Sequence, residues 1–305
     1  MSSANDLAGR VAVITGASSG FGCGAAVEYA RHGASVVLAA RSENLLADVV
    51  RQCESAGGRA LAVPTDVADR KAVEQLARRA IDHFGSFDIW INNAGVAALG
   101  RFHEVPLEDH LQVIETNLNG CLMGSYVAVK HFRERGNGTL INVASVIGKI
   151  PAALYASYTA SKFGVVGLSD AIRQELRDEE KTAIHVCTVL PMAHDTTFFE
   201  HAANYTGHQA VPIPPTYDPQ VTVDKLVALA TSPEDEVITG WQGKVFNVLH
   251  KLAPGTVERF MTANTTTNQL EKAPPAADTS GIVHRPSGTM SDVARTKGTK
   301  PAGSK

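Results

Sequence analysis

The stretch that decides the fold is RVAVITGASSGFGCGAAVEYARHG, residues 10–33. Residues 10–16 form a short apolar run rich in β-branched residues, which is typical of a strand buried on both faces. A glycine-rich turn follows, and the alanine-rich segment after it has a helical pattern that stops at Gly33. Glycines at such a junction let backbone N–H groups approach a pyrophosphate, to which the helix N-terminus adds partial positive charge. We therefore expect a dinucleotide site here. The alternative is a tight turn that needs positive φ.

Strand and helix patterns alternate from this stretch to residue 240. The further strand segments are 34–41, 59–67, 87–95, 138–145, 183–191 and 236–240. The helical patterns between them are 43–56, 69–84, 107–135, a segment that ends near 179, and 221–233. Strands separated by helices pair in parallel through right-handed crossovers. The sequence therefore predicts the α/β class.

The composition describes a globular chain that meets small molecules. The chain has 305 residues, 44% of them hydrophobic, with a net charge of −3 and a pI near 6.4. No basic field argues for nucleic acid. The first residues lack a basic segment followed by an apolar one, and no run of about 18 apolar residues occurs. We therefore expect a cytoplasmic protein without a transmembrane segment. Its four cysteines form no C-x-x-C pair and are expected to be reduced and buried.

The segment SVIGKIPAALYASYTASK, residues 145–162, carries a serine, a tyrosine and a lysine at spacings that suit proton transfer. Tyr158 and Lys162 are four apart, so on a helix the ammonium lies beside the phenol. A nearby cation lowers the pKa of a tyrosine from its ordinary value near ~10. Ser145 ends a strand and would offer its hydroxyl to the same substrate oxygen. Tyr155 has only Thr159 at i+4, so we select Tyr158, although an isolated pair of this kind is more often structural.

The ends of two other strands indicate how a cofactor would be held. After the second strand, where an acidic residue often binds the ribose 2′-hydroxyl of NAD(H), this chain has Arg41 and Ser42. A guanidinium there would attract a 2′-phosphate, so NADP(H) is favoured and NAD(H) stays possible. The alternative for Arg41 is a solvated charge at a strand end. Asp66 ends the third strand, where its carboxylate could accept from the adenine amino group. The polar turn at 92–95, NNAG, either marks the ligand crevice or is only a turn.

Residues 192–219 break the alternation and mix aromatic residues, histidines and prolines. Long loops of this kind tend to be lids or binding segments. His194, His201 and His208 are spaced seven apart, which invites a metal-site interpretation. No Cys, Asp or Glu pattern completes a ligand set, so we expect solvated loop histidines and no metal. The aromatic residues that favour an apolar substrate are Phe198, Phe199 and Tyr205.

The chain after residue 240 is less regular. Residues 241–270 carry enough apolar residues for one or two amphipathic helices that pack on the body, on a subunit or at a substrate mouth. Residues 271–305 are rich in Ala, Pro, Thr, Ser, Gly and Lys, and we expect a disordered tail.

Taken in order, these motifs resemble the short-chain dehydrogenase/reductase family. The residues that carry the resemblance are TGASSGFG at 15–22, NNAG at 92–95, Asn117, Ser145 and the Tyr158-x-x-x-Lys162 pair. The resemblance covers residues 7–240 and implies one doubly wound, Rossmann-type domain with a seven-stranded parallel sheet. It also implies an oxidoreductase that interconverts a carbonyl and a secondary alcohol with NADP(H). Many members are dimers or tetramers built on the long fifth and sixth helices.

The resemblance also implies a role for each site residue. Tyr158 is the general acid/base, Ser145 orients the substrate oxygen, Lys162 lowers the pKa of Tyr158 and binds the nicotinamide ribose, and Asn117 holds a proton-relay water. The expected cofactor-binding residues are Gly16, Ser18, Ser19, Gly20, Phe21, Gly22, Arg41, Ser42, Asp66, Val67, Asn93, Ala94, Gly95, Tyr158, Lys162, Pro191 and Met192.

The chain departs from the family pattern at two places. Met192 follows Pro191 where a glycine is common, so Met192 is expected to intrude near the nicotinamide carboxamide. Ser18 and Ser19 stand where NADP-preferring members often have a basic residue, which leaves the cofactor preference to Arg41.

Two other functions use similar sequences. A dinucleotide-binding sensor or scaffold would share the fold without chemistry, but it would not need Ser, Tyr and Lys in this register. An epimerase or dehydratase of the family usually has a TGxxGxxG loop and a larger substrate domain than this chain offers.

Overall fold

The computed structural model describes residues 6–181, 183–194 and 196–286. Its strands are β1 (Val11–Thr15), β2 (Ser35–Ala40), β3 (Arg59–Pro64), β4 (Ile89–Asn92), β5 (Ala98–Leu99), β6 (Gly138–Val143), β7 (Ile184–Pro191), β8 (Ala203–Asn204) and β9 (Glu236–Thr239). Within this described part, seven strands form one parallel sheet in the order β3-β2-β1-β4-β6-β7-β9. β5 and β8 form a separate parallel pair. The predicted seven-stranded parallel sheet is therefore confirmed.

Helices cover both faces of the large sheet. They are α1 (Gly20–Arg31), α2 (Glu43–Ser55), α3 (Arg70–Phe84), α4 (Leu107–Ile114), α5 (Gly120–Arg135), α6 (Ala156–Asp178), α7 (Phe198–His201), α8 (Gln220–Ala228), α9 (Trp241–Leu252) and α10 (Pro254–Thr266). Buried side chains of α1, α2 and α8 share one core with the sheet, and those of α3, α5 and α6 share a second core on the other face. The fold is therefore doubly wound, as the resemblance implied. The strand order reverses between β1 and β4, which is where open α/β sheets form a ligand crevice.

The long helical pattern at 107–135 is interrupted. A π-helical turn, Glu115–Asn119, separates α4 from α5 and carries Asn117 at its centre. Such turns are frequent at functional sites because they redirect side chains and free backbone groups. The single helical pattern at 107–135 is therefore two helices joined by a π turn that holds Asn117.

The end of the chain differs from the expected tail. α9 and α10 are the two helices expected for residues 241–270, and a π-helical turn, Thr267–Lys272, follows them. Residues 273–286 then pack against the body: Val283 is completely buried, and Asn204 and Thr279 exchange backbone hydrogen bonds of 2.7 and 3.0 Å. The expectation of disorder is wrong for 271–286, because one apolar side chain and backbone pairing hold a polar segment in place. Residues 287–305 lie outside the described residues.

All four cysteines are free and buried, as expected. Among the described residues, no helix combines the length and apolar character that crossing a bilayer requires.

Candidate active site

The turn between β1 and α1 is built to take a phosphate group. Gly16 and Gly20 have φ of 65° and 51°, a region that glycine adopts without strain. A Cβ on Gly22 would lie 2.2 Å from the carbonyl oxygen of Gly16, so only glycine lets α1 approach the turn. Ser19 precedes α1 without capping it through its side chain, which leaves the N-terminal N–H groups of the helix free to bind an anion. These residues fit the pyrophosphate of a dinucleotide.

The polar turn after β4 is locked to this glycine turn. The Oγ1 of Thr15 accepts from the backbone N–H groups of Asn93 and Ala94 at 3.0 and 3.1 Å. The side-chain amide of Asn93 donates to the carbonyls of Thr15 and Gly16 at 3.0 and 3.2 Å. The 92–95 segment is therefore more than a turn, since it fixes the floor of the crevice where the strand order reverses.

The three residues selected for chemistry converge at one end of that crevice. Ser145 lies just beyond β6, while Tyr158 and Lys162 lie one turn apart near the start of α6. Tyr158 and Lys162 are 8% and 4% exposed, so both side chains are buried. The hydroxyl of Ser145 donates to the carbonyl of Pro191 at 3.5 Å, and the Nζ of Lys162 donates to the carbonyl of Val143 at 2.9 Å.

Burial sets the proton affinity of this pair. Desolvation raises the pKa of Tyr158 to about 12, and the nearby hydroxyl of Ser145 opposes that rise. Desolvation also lowers the pKa of Lys162 to about 8. The predicted depression of the Tyr158 pKa by Lys162 is therefore not present here. The spacing brings the two groups together as expected, but the cost of charging a buried phenol is larger than the effect of the neighbouring cation.

Asn117 lies directly behind the crevice. Its Oδ1 accepts from Val96 N at 2.8 Å, and its Nδ2 donates to the Val96 carbonyl and to Ser161 Oγ at 2.9 and 3.0 Å. A Cβ on Gly95 would lie 3.4 Å from Asn117 Oδ1 and 3.6 Å from Lys162 Nζ. Asn117 therefore ties the turn after β4 to α6 and keeps only the second Oδ1 lone pair for a water molecule.

The adenosine end of the crevice carries an unexpected contact. The guanidinium of Arg41 donates to backbone carbonyls of Ile282, Val283 and Arg285 at 2.6–3.1 Å. Burial lowers the pKa of Arg41, and the charge of Asp66 opposes that shift. Asp66 is exposed, and one of its carboxylate oxygens accepts from Ala68 N at 3.0 Å. Arg41 is therefore not the solvated strand-end charge of the alternative interpretation.

One continuous cavity of about 380 Å³ joins these parts. Apart from Gly22 and Asn117, every residue predicted for catalysis or cofactor binding lines it. Gly22 packs beneath the glycine turn and Asn117 behind Gly95, so both shape the cavity without facing it. Met192 lines it as expected and also packs against Gly240 and Gly243.

The loop after β7 covers the cavity end that holds Tyr158. The ring of Phe198 lies 5.6 Å from that of Tyr158, and Phe199 also lines the cavity. Tyr205 was expected beside them, but it is not a lining residue, and its hydroxyl donates to Asp109 Oδ2 at 2.6 Å. The aromatic residues of this loop therefore divide between the site and its support.

The loop histidines do not behave as one group. His194 is only 3% exposed, and its ring nitrogens pair with Met192 O at 2.8 Å and Thr222 Oγ1 at 3.0 Å. The expectation of a solvated His194 is wrong, because this residue ties the loop to α8. Within the described residues, no group of three or more His, Cys, Asp or Glu side chains is arranged to hold a metal ion.

Sequence reasoning missed the contribution of the C-terminal extension. Phe246 of α9 and Phe260 and Met261 of α10 line the cavity. Farther on, Gln269 is completely buried and its Nε2 donates to the Tyr155 hydroxyl at 3.0 Å. The apolar pattern of 241–270 identified the helices and gave a substrate mouth as one of three alternatives. No pattern indicated Gln269.

Comparisons with known proteins agree with this geometry. A family model described as short chain dehydrogenase matches residues 10–205. An uncharacterized oxidoreductase of Bacillus subtilis is 35% identical over 257 residues, which span 84% of this chain and 72% of that protein. A 3beta-hydroxysteroid dehydrogenase of Eggerthella lenta is 37% identical over 194 residues, which span 63% of this chain and 73% of that protein.

A solved structure leads to the same family. The crystal structure of a short-chain type dehydrogenase/reductase from Mycobacterium marinum has a TM-score of 0.68 at 29% identity, covering 76% of this chain and 94% of that one. The glycine turn, the convergent side chains and these similarities lead to one assignment. The chain belongs to the short-chain dehydrogenase/reductase family and is an NAD(P)-dependent enzyme that acts on CH–OH or carbonyl groups.

Proposed function

We propose that this protein is an NADP(H)-dependent oxidoreductase that interconverts a carbonyl and a secondary alcohol, with Tyr158 as general acid/base. The observation that carries the proposal is the convergence of Ser145, Tyr158 and Lys162 on one end of a cavity whose other end is the glycine turn. A bound nicotinamide cofactor supplies or accepts the hydride. The protein has to supply position, a proton and a suitable electrostatic environment.

Tyr158 is the group that exchanges a proton with the substrate oxygen. With its pKa raised to about 12, the phenol is protonated at neutral pH and is ready to donate to a developing alkoxide during reduction. In the oxidative direction Tyr158 must first lose that proton. A positive charge placed beside the ring favours that loss, and an oxidised nicotinamide carries one.

Ser145 and Lys162 position and polarise the reacting groups. Ser145 Oγ accepts from Ile147 N at 3.3 Å and lies 3.5 Å from the Pro191 carbonyl, which holds the hydroxyl beside Tyr158. Lys162 Nζ is anchored on Val143 O, so its other N–H groups are available for a ribose hydroxyl. Asn117 keeps α6 in register with the floor of the crevice.

The substrate end of the cavity favours an apolar molecule. Its walls include Ile150, Tyr155, Phe198, Phe246 and Met261. Because burial of apolar surface is favourable, these side chains would stabilise a bound molecule with a hydrocarbon skeleton. One relative is named a 3beta-hydroxysteroid dehydrogenase, which supports a bulky alicyclic alcohol or ketone as the first class to test.

We further propose the cellular and quaternary setting. Residues 7–240 form the cofactor-binding domain, and residues 241–270 form an extension that walls the substrate end. Leu122 and Tyr126 on α5 and Phe163 on α6 are 47%, 65% and 42% exposed, which supports a homodimer or homotetramer through these helices. A cytoplasmic location completes this proposal.

The decisive experiment is a substrate panel with both cofactors. Purified protein is mixed with alicyclic, aliphatic and aromatic ketones and the corresponding alcohols, and nicotinamide absorbance is followed with NADP(H) and NAD(H) in parallel. We expect turnover of at least one bulky secondary alcohol or ketone, with higher kcat/KM for NADP(H). Absence of turnover across the panel, or a clear preference for NAD(H), contradicts the proposal.

A further inference from the structure

The last described residues, 281–286, form a strap across the adenosine end of the cavity. Ile282 and Pro286 of the strap line the same cavity as Arg41 and Ser42. The Nη1 of Arg41 donates to Val283 O at 3.1 Å, and Nη2 donates to Ile282 O at 2.6 Å and to Arg285 O at 3.1 Å. The side chain proposed to bind a 2′-phosphate therefore already has three backbone partners.

The strap is anchored to the body at three further points. Ile282 N donates to the His201 carbonyl at 2.9 Å, and Val283 is completely buried in the apolar cluster around Tyr155 and Tyr158. The Nε2 of His284 lies 2.6 Å from the buried carboxylate of Asp109. These contacts give the strap a defined docked position.

The geometry of a guanidinium decides what the docked strap permits. Arg binds phosphate most strongly through two parallel N–H groups, either from Nη1 and Nη2 or from Nε and Nη2. Both pairs use an Nη2 hydrogen, and both Nη2 hydrogens of Arg41 point to strap carbonyls. A 2′-phosphate can therefore form a two-point contact with Arg41 only after the strap has released Nη2.

We propose that the strap is an internal competitor of the 2′-phosphate and sets the cofactor preference of this enzyme. NADP(H) binds with the strap displaced from Arg41, whereas NAD(H), which lacks the phosphate, binds with the strap docked. The inference rests on the proposed NADP(H) dependence and adds the element that tunes it. The strap lowers the apparent affinity for the phosphate in proportion to its docked fraction.

Displacement is favourable because the competing partners differ in charge. Each carbonyl offers Arg41 a neutral acceptor, whereas a phosphate offers ionised oxygens, and such hydrogen bonds are roughly twice as strong. Release of the strap gives up the burial of Val283 and little other buried surface, because the remaining strap side chains are exposed or half-buried. The free-energy difference between the docked and released strap is therefore small enough for binding of the 2′-phosphate to shift the strap toward the released position.

The first test uses 2′,5′-ADP and 5′-AMP as probes, because they differ only in the 2′-phosphate. Their dissociation constants are measured by titration calorimetry for the full chain, a chain lacking 281–305 and a control lacking 287–305. Removing 281–305 is expected to lower the dissociation constant of 2′,5′-ADP about tenfold, which is the change expected if the strap is docked in about nine of ten molecules. The dissociation constant of 5′-AMP is expected to change by less than about twofold. The control deletion is expected to change neither constant.

The Arg41→Ala background isolates the contact. In that background, removing 281–305 is expected to change the dissociation constant of 2′,5′-ADP by less than about twofold, because the strap no longer has a guanidinium to occupy. An equal gain with and without Arg41 overturns the proposal, as does a loss of 2′,5′-ADP affinity in the shortened chain.

A measurement on the unaltered chain covers the case in which the deletion impairs folding. Amide hydrogen exchange at 281–286 is expected to rise with saturating NADPH and to stay unchanged with NADH. Protection of these amides by NADPH overturns the proposal. Failure of the proposed function has another signature, since the full chain would then show no turnover or a clear preference for NAD(H) in the panel. Failure of the strap inference leaves turnover and the preference for NADP(H) intact, and removal of 281–305 then leaves the ratio of the two cofactor affinities unchanged.

Discussion

The Nζ of Lys162 lies 5.6 Å from the centroid of the Tyr158 ring, yet it donates its hydrogen bond to the carbonyl of Val143. The cation is therefore adjacent to the phenol without being its hydrogen-bond partner. Burial then determines both pKa values, raising that of Tyr158 to about 12 and lowering that of Lys162 to about 8. The site holds its proton on the phenol, which suits an enzyme that protonates a substrate oxygen.

The first prediction concerns that proton. Tyr158→Phe removes the hydroxyl and keeps the ring that packs near Phe198. We expect kcat to fall by about 10²–10⁴-fold or more, because general acid catalysis is lost, while the dissociation constant for NADPH changes less than about threefold. Stopped-flow reduction and cofactor fluorescence titration measure the two quantities.

Tyr29→Phe is the matched control for the loss of a phenol oxygen. Its hydroxyl donates to Leu226 O at 2.8 Å in the core, away from the cavity. We expect this variant to lose about 1–3 kcal/mol of unfolding free energy and to keep its activity. Full activity of Tyr158→Phe would remove Tyr158 from the mechanism.

The second prediction is that Lys162 destabilises the fold it serves. Lys162→Met removes a charge that is buried at neutral pH, so we expect loss of turnover together with a gain of up to about 3 kcal/mol in unfolding free energy at pH 7. The pKa of Lys162 is about 8 in the folded chain against an ordinary value of 10.5, so between these pH values the unfolded chain binds the extra proton.

Wild-type stability therefore gains from this group as the pH rises through that window, and the advantage of Lys162→Met shrinks. Urea unfolding of both proteins at pH 7 and pH 10 measures the change. An advantage that is equal at the two pH values would show that the proton affinity of Lys162 is not lowered by burial.

The third prediction concerns Asn117. Asn117→Ala leaves the backbone N–H and carbonyl of Val96 without their partners, and both are buried. We expect a loss of about 3 kcal/mol or more in unfolding free energy and a fall in kcat, because the floor of the crevice loses its tie to α6.

Asn119 of the same π turn provides the control, since its half-buried side chain donates to the exposed carboxylate of Glu115 at 2.9 Å. Asn119→Ala is expected to change the unfolding free energy by less than about 0.5 kcal/mol. Chemical denaturation of the two variants compares the same substitution two residues apart. Equal effects would assign the stabilisation to the turn itself rather than to the contacts of Asn117.

The parts of the molecule that the sequence predicted are those set by local patterns. The β1–turn–α1 unit follows from a short apolar run, glycines and a helical pattern within 24 residues. The neighbourhood of Tyr158 and Lys162 follows from their separation on one helix. Physical rules acting over a few residues determine both, so one sequence is sufficient to find them.

The parts that the sequence did not predict depend on distant contacts. Arg41 donates to backbone carbonyls of Ile282, Val283 and Arg285, which follow it in the sequence by 241 to 244 residues. The amino-acid composition of the strap resembles that of a disordered tail, so it did not indicate this contact. The direction of the Tyr158 pKa shift also escaped prediction, because it depends on how completely α6 and the loop after β7 exclude water from the phenol. His194 was misassigned for the same reason, since Thr222 lies 28 residues farther along the chain.

The fourth prediction tests the glycine turn that every other part of the site requires. Gly22→Ala places a Cβ 2.2 Å from the Gly16 carbonyl oxygen, and that atom belongs to backbone that cannot move without shifting the turn. We expect binding of NADPH and NADH to weaken at least about 100-fold, because displaced N–H groups no longer face the pyrophosphate.

The same substitution at Gly167, inside α6, meets open space. Gly167→Ala is therefore expected to raise the unfolding free energy by about 0.5–1 kcal/mol and to leave cofactor binding unchanged. Calorimetric titration of both variants with both cofactors gives the comparison. Unchanged binding in Gly22→Ala would mean that the pyrophosphate is held elsewhere in the crevice.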